Sequence, residues 1–64
     1  MIILNQKANF ADVRLSEHEL TIMSNVLNEV CNGVHIEDPE FQTRIGVTRE
    51  EARNLLQAVT RLLS

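Results

Sequence analysis

Sixty-four residues with a net charge of -3 and 44% hydrophobic residues make one domain, 1–64, and a chain this short buries only about 60% of the surface its unfolded form exposes. Phe10 and Phe41 are the only aromatics, which argues against the base-stacking platform that single-stranded nucleic acid needs. A lone cysteine, Cys31, excludes an intrachain disulfide framework, and the apolar run Met1–Leu4 is too short for a signal peptide or a membrane span, so a cytoplasmic protein is expected.

The chain opens with two β-leaning runs, MIIL and ADVRL, separated by the polar, turn-compatible NQKAN. Ile3 lies on one face, and Val13 and Leu15 alternate around Arg14, so a short hairpin is expected within residues 1–15. A two-stranded hairpin on its own is marginal in water. The alternation of Val34, His35 and Ile36 fits a third short strand as well.

Helical grammar begins at Ser16. Ser16 and Glu19 have the spacing of a capping box, in which each side chain satisfies a backbone N–H left unpaired at the helix start. Leu15 and Leu20 fit a hydrophobic staple around it. Leu20, Met23, Leu27 and Val30 then recur at three- and four-residue steps, with Ile22 and Val26 widening the stripe. A helix over 17–31 is predicted, stopped by Gly33 in a left-handed conformation. Asp38-Pro39 opens a short second helix, 39–45, with Asp38 as cap and Pro39 where a missing N–H does no harm. Phe41 and Ile45, four apart, face one way, and Gly46 ends the helix. Thr48 and Glu51 form a second capping box. The third helix, 49–63, carries Ala52, Leu55, Leu56, Val59, Leu62 and Leu63 as one apolar stripe opposite Glu50, Arg53, Asn54, Gln57 and Arg61. The predicted fold class is mainly α: a three-helix, helix-turn-helix-like core over 16–63, with a short hairpin before it.

Charge is unevenly placed. Residues 17–40 hold six carboxylates and no Lys or Arg, whereas residues 41–64 hold Arg44, Arg49, Arg53 and Arg61 against Glu50 and Glu51. Such asymmetry bears on partners more than the total does. His18 and His35 lie on different elements without a second ligand at helical spacing, so no metal is expected. Cys31 has no recognisable base and the chain has no glycine-rich phosphate loop, so neither an enzyme nor a cofactor is expected.

Residues 41–56, FQTRIGVTREEARNLL, resemble the helix-turn-helix of bacterial DNA-binding regulators: Ile45-Gly46-Val47-Thr48 at the turn, Ala52 as the small residue within the next helix, and Leu55 in the core. The preceding LSEHELTIMSNVLNEVCNG is similar to the scaffold helix of response-regulator output domains, which often starts L-S/T-x-x-E. LNEVCNG followed by F-x-x-R-x-G also resembles short bacterial proteins, a likeness that implies no function. The helix-turn-helix resemblance implies a transcriptional regulator that inserts the start of its last helix into the major groove of double-stranded DNA. Arg44 would then touch phosphate, and Thr48, Arg49, Arg53 and Asn54 would face the DNA, the arginines toward phosphate or guanine and the asparagine toward adenine. Glu50 departs from the usual Lys- and Arg-rich helix. The other reading is a protein-interaction module that keeps the fold without binding DNA. A homodimer is expected in either case. An aliphatic core this small is marginal, MIIL presents an apolar edge, and Leu62 and Leu63 have little chain left to cover them. No small-molecule substrate is evident.

Overall fold

The computed structural model describes residues 1–64. Its first element is the hairpin, β1 over Ile2–Gln6 and antiparallel β2 over Ala11–Arg14. The Lys7 N–H donates to the Phe10 carbonyl at 2.8 Å and closes the connection. Ile3 stands opposite Val13 and Asn5 opposite Asp12, which leaves Leu4 as an extra residue in β1. A bulge of this kind bends the strand and disrupts its ladder. Every strand residue is exposed, and the hairpin packs on none of the helices. An ion pair between the Met1 amino group and Glu19 ties it to the body.

Helix α1 covers Glu17–Asn28 and continues into a π-helical turn, Glu29–Gly33. Its capping box is made in both directions. The Glu19 N–H donates to Ser16 Oγ at 3.1 Å, and the Ser16 N–H to Glu19 Oε1 at 3.0 Å. The predicted left-handed stop at Gly33 is not how this helix ends, because Gly46 is the one residue with positive φ. Instead the Val34 N–H reaches five residues back to the Glu29 carbonyl at 3.0 Å. The Glu29 side chain folds back over Gly33, and a Cβ there would displace only the flexible end of that carboxylate.

No third strand forms at Val34–Ile36. The backbone is extended at Val34, but it carries the Ile36 side chain into the core and gives the Ile36 carbonyl to Arg49. Helix α2 covers Asp38–Ile45, one residue earlier than predicted, so Pro39 is its second residue and not its first. Asp38 is not the cap. Glu37 holds that position without a side-chain cap bond, and Asp38 turns its carboxylate to Arg49 instead. Gly46 closes α2 as expected, at φ 91°, donating its N–H to the Gln42 carbonyl at 2.9 Å. Helix α3 covers Arg49–Leu63, and its Thr48–Glu51 capping box is complete.

The core is small. Cys31, Ile36, Phe41 and Ala52 are buried together, with Val30 and Leu56 packed against them, and Phe41 is fully enclosed. Val59 is the fifth buried residue. Arg49, at the start of α3, is bonded to the Cys31 carbonyl just past the end of α1, and α3 packs along α1. The two helices therefore run antiparallel. The stripes predicted to be continuous are divided. Ala52, Leu56, Val59 and Leu63 are buried or half-buried, while Leu55 is 51% and Leu62 69% exposed. On α1 and its π turn, Leu20, Met23, Leu27 and Val30 are half-buried, while Ile22 is 49% and Val26 57% exposed. On α2, Ile45 does not follow Phe41 inward and stays exposed.

Candidate nucleic-acid interface

Four of the five residues named from the sequence are brought together where α2 meets the start of α3. Thr48, Arg49, Arg53 and Asn54 line one open groove there, together with Asp38, Pro39, Gln42 and Glu50. Arg44 sits at the last turn of α2. What separates the five is whether their polar groups are already engaged.

Arg49 is the most engaged. Its Nε donates to Asp38 Oδ1 at 3.0 Å, one terminal nitrogen to the Cys31 carbonyl at 3.0 Å, and the other to the Ile36 carbonyl. The guanidinium also lies over the Phe41 ring, 4.6 Å from its centroid, where the negative face of the ring attracts a cation. One side chain thus joins the π turn, the extended segment, α2 and α3. Turned inward in this way, Arg49 does not offer its fork to a guanine or a phosphate. Thr48 is similarly engaged, since its hydroxyl accepts from the Glu51 N–H at 3.1 Å and donates to Glu51 Oε1 at 3.0 Å. Arg44 pairs at 3.5 Å with Glu40 one turn before it on the same exposed helix face, a contact worth a few tenths of a kcal/mol (~0.3–0.5) that a stronger anion would displace. Arg53 and Asn54 are exposed and carry their polar groups free.

The basic strip that Arg44, Arg49, Arg53 and Arg61 make in sequence is therefore broken at Arg49, and carboxylates from Asp38 and Glu50 share the groove with Arg53. Sequence reasoning overlooked the role of Arg49, although a signal was available. A cation in the first turn of a helix opposes the helix dipole, so its position alone points to a partner elsewhere.

A second surface was not anticipated as a surface. Turning about 100° per residue, Ile22 and Val26 lie to one rotational side of the line along which α1 meets α3. Leu55 and Leu62 are displaced in the same rotational sense on α3. For antiparallel helices the same sense is the same side, so these four exposed residues share one side of the helix pair with Ala58 and the capping carboxylates of Glu19 and Glu51. The other side carries Thr21, Asn25 and Asn28 from α1 and Arg53, Gln57 and Thr60 from α3, all exposed. The pair is amphipathic across its thickness.

The histidines and the cysteine stand apart from both surfaces. His35 pairs with Glu37 at 2.9 Å in solvent, and Cys31 is a buried free thiol. No helix is long and apolar enough to cross a membrane. Comparison with protein-family models, curated proteins and solved structures finds no match to this chain.

Proposed function

We propose that this protein is a protein-association module, and that its working surface is the apolar side of the α1–α3 pair. The observation that carries this is the exposure of Ile22, Val26, Leu55 and Leu62 on one side while the opposite side is polar throughout. Scattered exposed apolar residues are ordinary, but a contiguous patch rimmed by polar groups marks an interaction surface. The engagement of Arg49 and the carboxylates in the groove weigh against a DNA reader of the usual kind. In this reading the turn around Gly46 is a packing device that sets α2 against the start of α3. No catalytic role is assigned to any residue. The lone buried thiol suits a reducing setting, and we take that to be the cytoplasm.

Methyl-resolved NMR tests the reading. The spectrum is recorded from micromolar to millimolar protein, and then with an excess of an amphipathic helical peptide. Methyl resonances of Val26, Leu55 and Leu62 are expected to move in at least one series. If all three stay fixed in both, the reading fails.

One observation favours DNA as a second reading: Arg53 and Asn54 remain free at the start of α3, with Arg44 nearby on α2 and only loosely paired. Two arginines give a logarithmic salt slope of about -2 per protomer. A duplex titration across salt concentrations decides it, since Arg53→Ala must then abolish binding. No binding at low salt removes this reading.

A further inference from the structure

The apolar side invites a particular occupant, and the inference that follows rests on the association reading above. The folded chain exposes 5098 Å². A compact monomer of 7.3 kDa exposes about 4,200 Å². The surplus is about 900 Å², close to the roughly 800 Å² that each partner contributes to a standard protein interface. The radius of gyration agrees: 13.2 Å against about 11 Å for a compact chain of this length. The molecule thus carries about one interface's worth of uncovered surface, divided between the apolar side of the helix pair and the hairpin. These two parts adjoin. Glu19 turns to the same side of α1 as Val26, and it holds the Met1 amino group there.

We propose that a second copy of this chain covers that side, its α1 lying antiparallel on α3 of the first, so that the two helix pairs form a four-helix bundle. A two-fold axis parallel to the helices produces this arrangement. A two-fold axis across the helices would instead lay α1 on α1. Charge does not choose between the two, because the side itself carries Glu19 from α1 and Glu51 from α3, while Arg53 lies on the opposite side and Arg49 is turned inward. The heights of the apolar residues fit the first. The contact between Arg49 and Cys31 puts Val26 level with Leu55 in the antiparallel pair, at about 1.5 Å rise per residue. An axis parallel to the helices preserves that level, so Val26 of one copy meets Leu55 of the other.

Light scattering on the full chain, from micromolar to millimolar, is expected to give twice the 7.3 kDa chain mass. The double variant Leu55→Gln, Leu62→Gln changes residues exposed in the single chain, so it is expected to keep its helical circular dichroism and to run as a monomer. A control variant, Ile3→Asn with Val13→Asn, alters the hairpin and is expected to remain dimeric. Mixing a Val26→Cys protein with a Leu55→Cys protein under oxidised glutathione is expected to give the mixed disulfide in excess over either like pair; Cys31, being buried, stays in place. A monomeric wild type overturns the second copy as occupant, and the association reading is then decided by whether the helical peptide moves the Val26, Leu55 and Leu62 methyls. A dimer that survives Leu55→Gln, Leu62→Gln but is lost in the hairpin variant overturns the proposed surface and leaves self-association standing. Like-pair disulfides in excess overturn the α1-on-α3 arrangement.

Discussion

Arg49 has more structural consequence than any other charged side chain here. Three hydrogen bonds and one aromatic face hold it, and two of the bonds satisfy backbone carbonyls of the buried residues Cys31 and Ile36. Leaving a buried acceptor without a partner costs about 1–3 kcal/mol, against a total of about 3–5 kcal/mol that a core of this size supplies. Arg49→Ala is therefore expected to lower stability by about 2 kcal/mol or more, read as a shift in urea midpoint. Lysine cannot reach both carbonyls and the carboxylate at once with a planar fork, so Arg49→Lys recovers only part of the loss. Arg53→Ala, four residues along and free in solvent, is expected to change stability by less than about 0.5 kcal/mol. Equal effects at 49 and 53 would contradict the clamp. Glu19 gives a pH-dependent counterpart. Its bond from the Met1 amino group, and then that from the Ser16 N–H, lower its carboxyl from the ordinary 4.5 to about 2. The folded state then binds fewer protons than the unfolded one between those values. The contribution of Glu19 is fully present above pH 4.5 and is lost as pH falls toward 2. Glu19→Gln keeps a capping side chain and is expected to flatten that acid limb of the urea-midpoint profile.

At the scale of elements, the two parts of the chain differ in what supports them. The helices pack on one another, whereas the hairpin has backbone pairing, one ion pair and no packed face. An unsupported two-stranded hairpin is marginal. In the monomeric variant Leu55→Gln, Leu62→Gln, the amides of Ile2–Gln6 and Ala11–Arg14 are expected to exchange with solvent nearly as fast as in a free peptide, while those in the middle of α3 stay protected. Protected strand amides in the monomer would reveal support from the body that the packing does not provide. The same contrast explains what was legible in the sequence. Both capping boxes and the left-handed Gly46 are local devices, decided within about four residues, and each stands where expected, while the Pro39 start is one residue early. Gly33 and Asp38 carry equally local signals, yet the helix before Gly33 ends in a π turn without a left-handed residue, and Asp38 is drawn to Arg49. The division of the α3 stripe was not legible either. Periodicity reports that Leu55 and Leu62 are apolar and aligned, but a helix with a wide stripe does not encode which edge its neighbour covers. That Thr48, Arg49, Arg53 and Asn54 share one groove followed from the turn, whereas the inward rotation of Arg49 depended on carbonyls 13 and 18 residues away.

The whole molecule sets its apolar surface against a very small interior. Five residues are buried, and the body is flattened to 36 × 29 × 14 Å. A chain so built gains a large share of its stability from whatever covers its apolar side, and if that is a second copy, folding and association are one equilibrium. The melting temperature must then depend on protein concentration. For two chains unfolding together, a hundredfold rise in concentration contributes about 2.7 kcal/mol. Unfolding entropy is about 2.1 cal/mol/K per residue, or about 0.27 kcal/mol/K for the pair. The melting temperature is therefore expected to rise by about 10 °C over that range. Leu55→Gln, Leu62→Gln should melt lower and at a temperature independent of concentration, because each of its chains unfolds alone. Arg53→Ala, on the polar side, should keep the full dependence. Calorimetry at both ends of the range reads all three proteins. A wild type whose melting temperature does not move would mean that the single chain supports its own fold, and the exposed side of α1 and α3 would then play no part in stability.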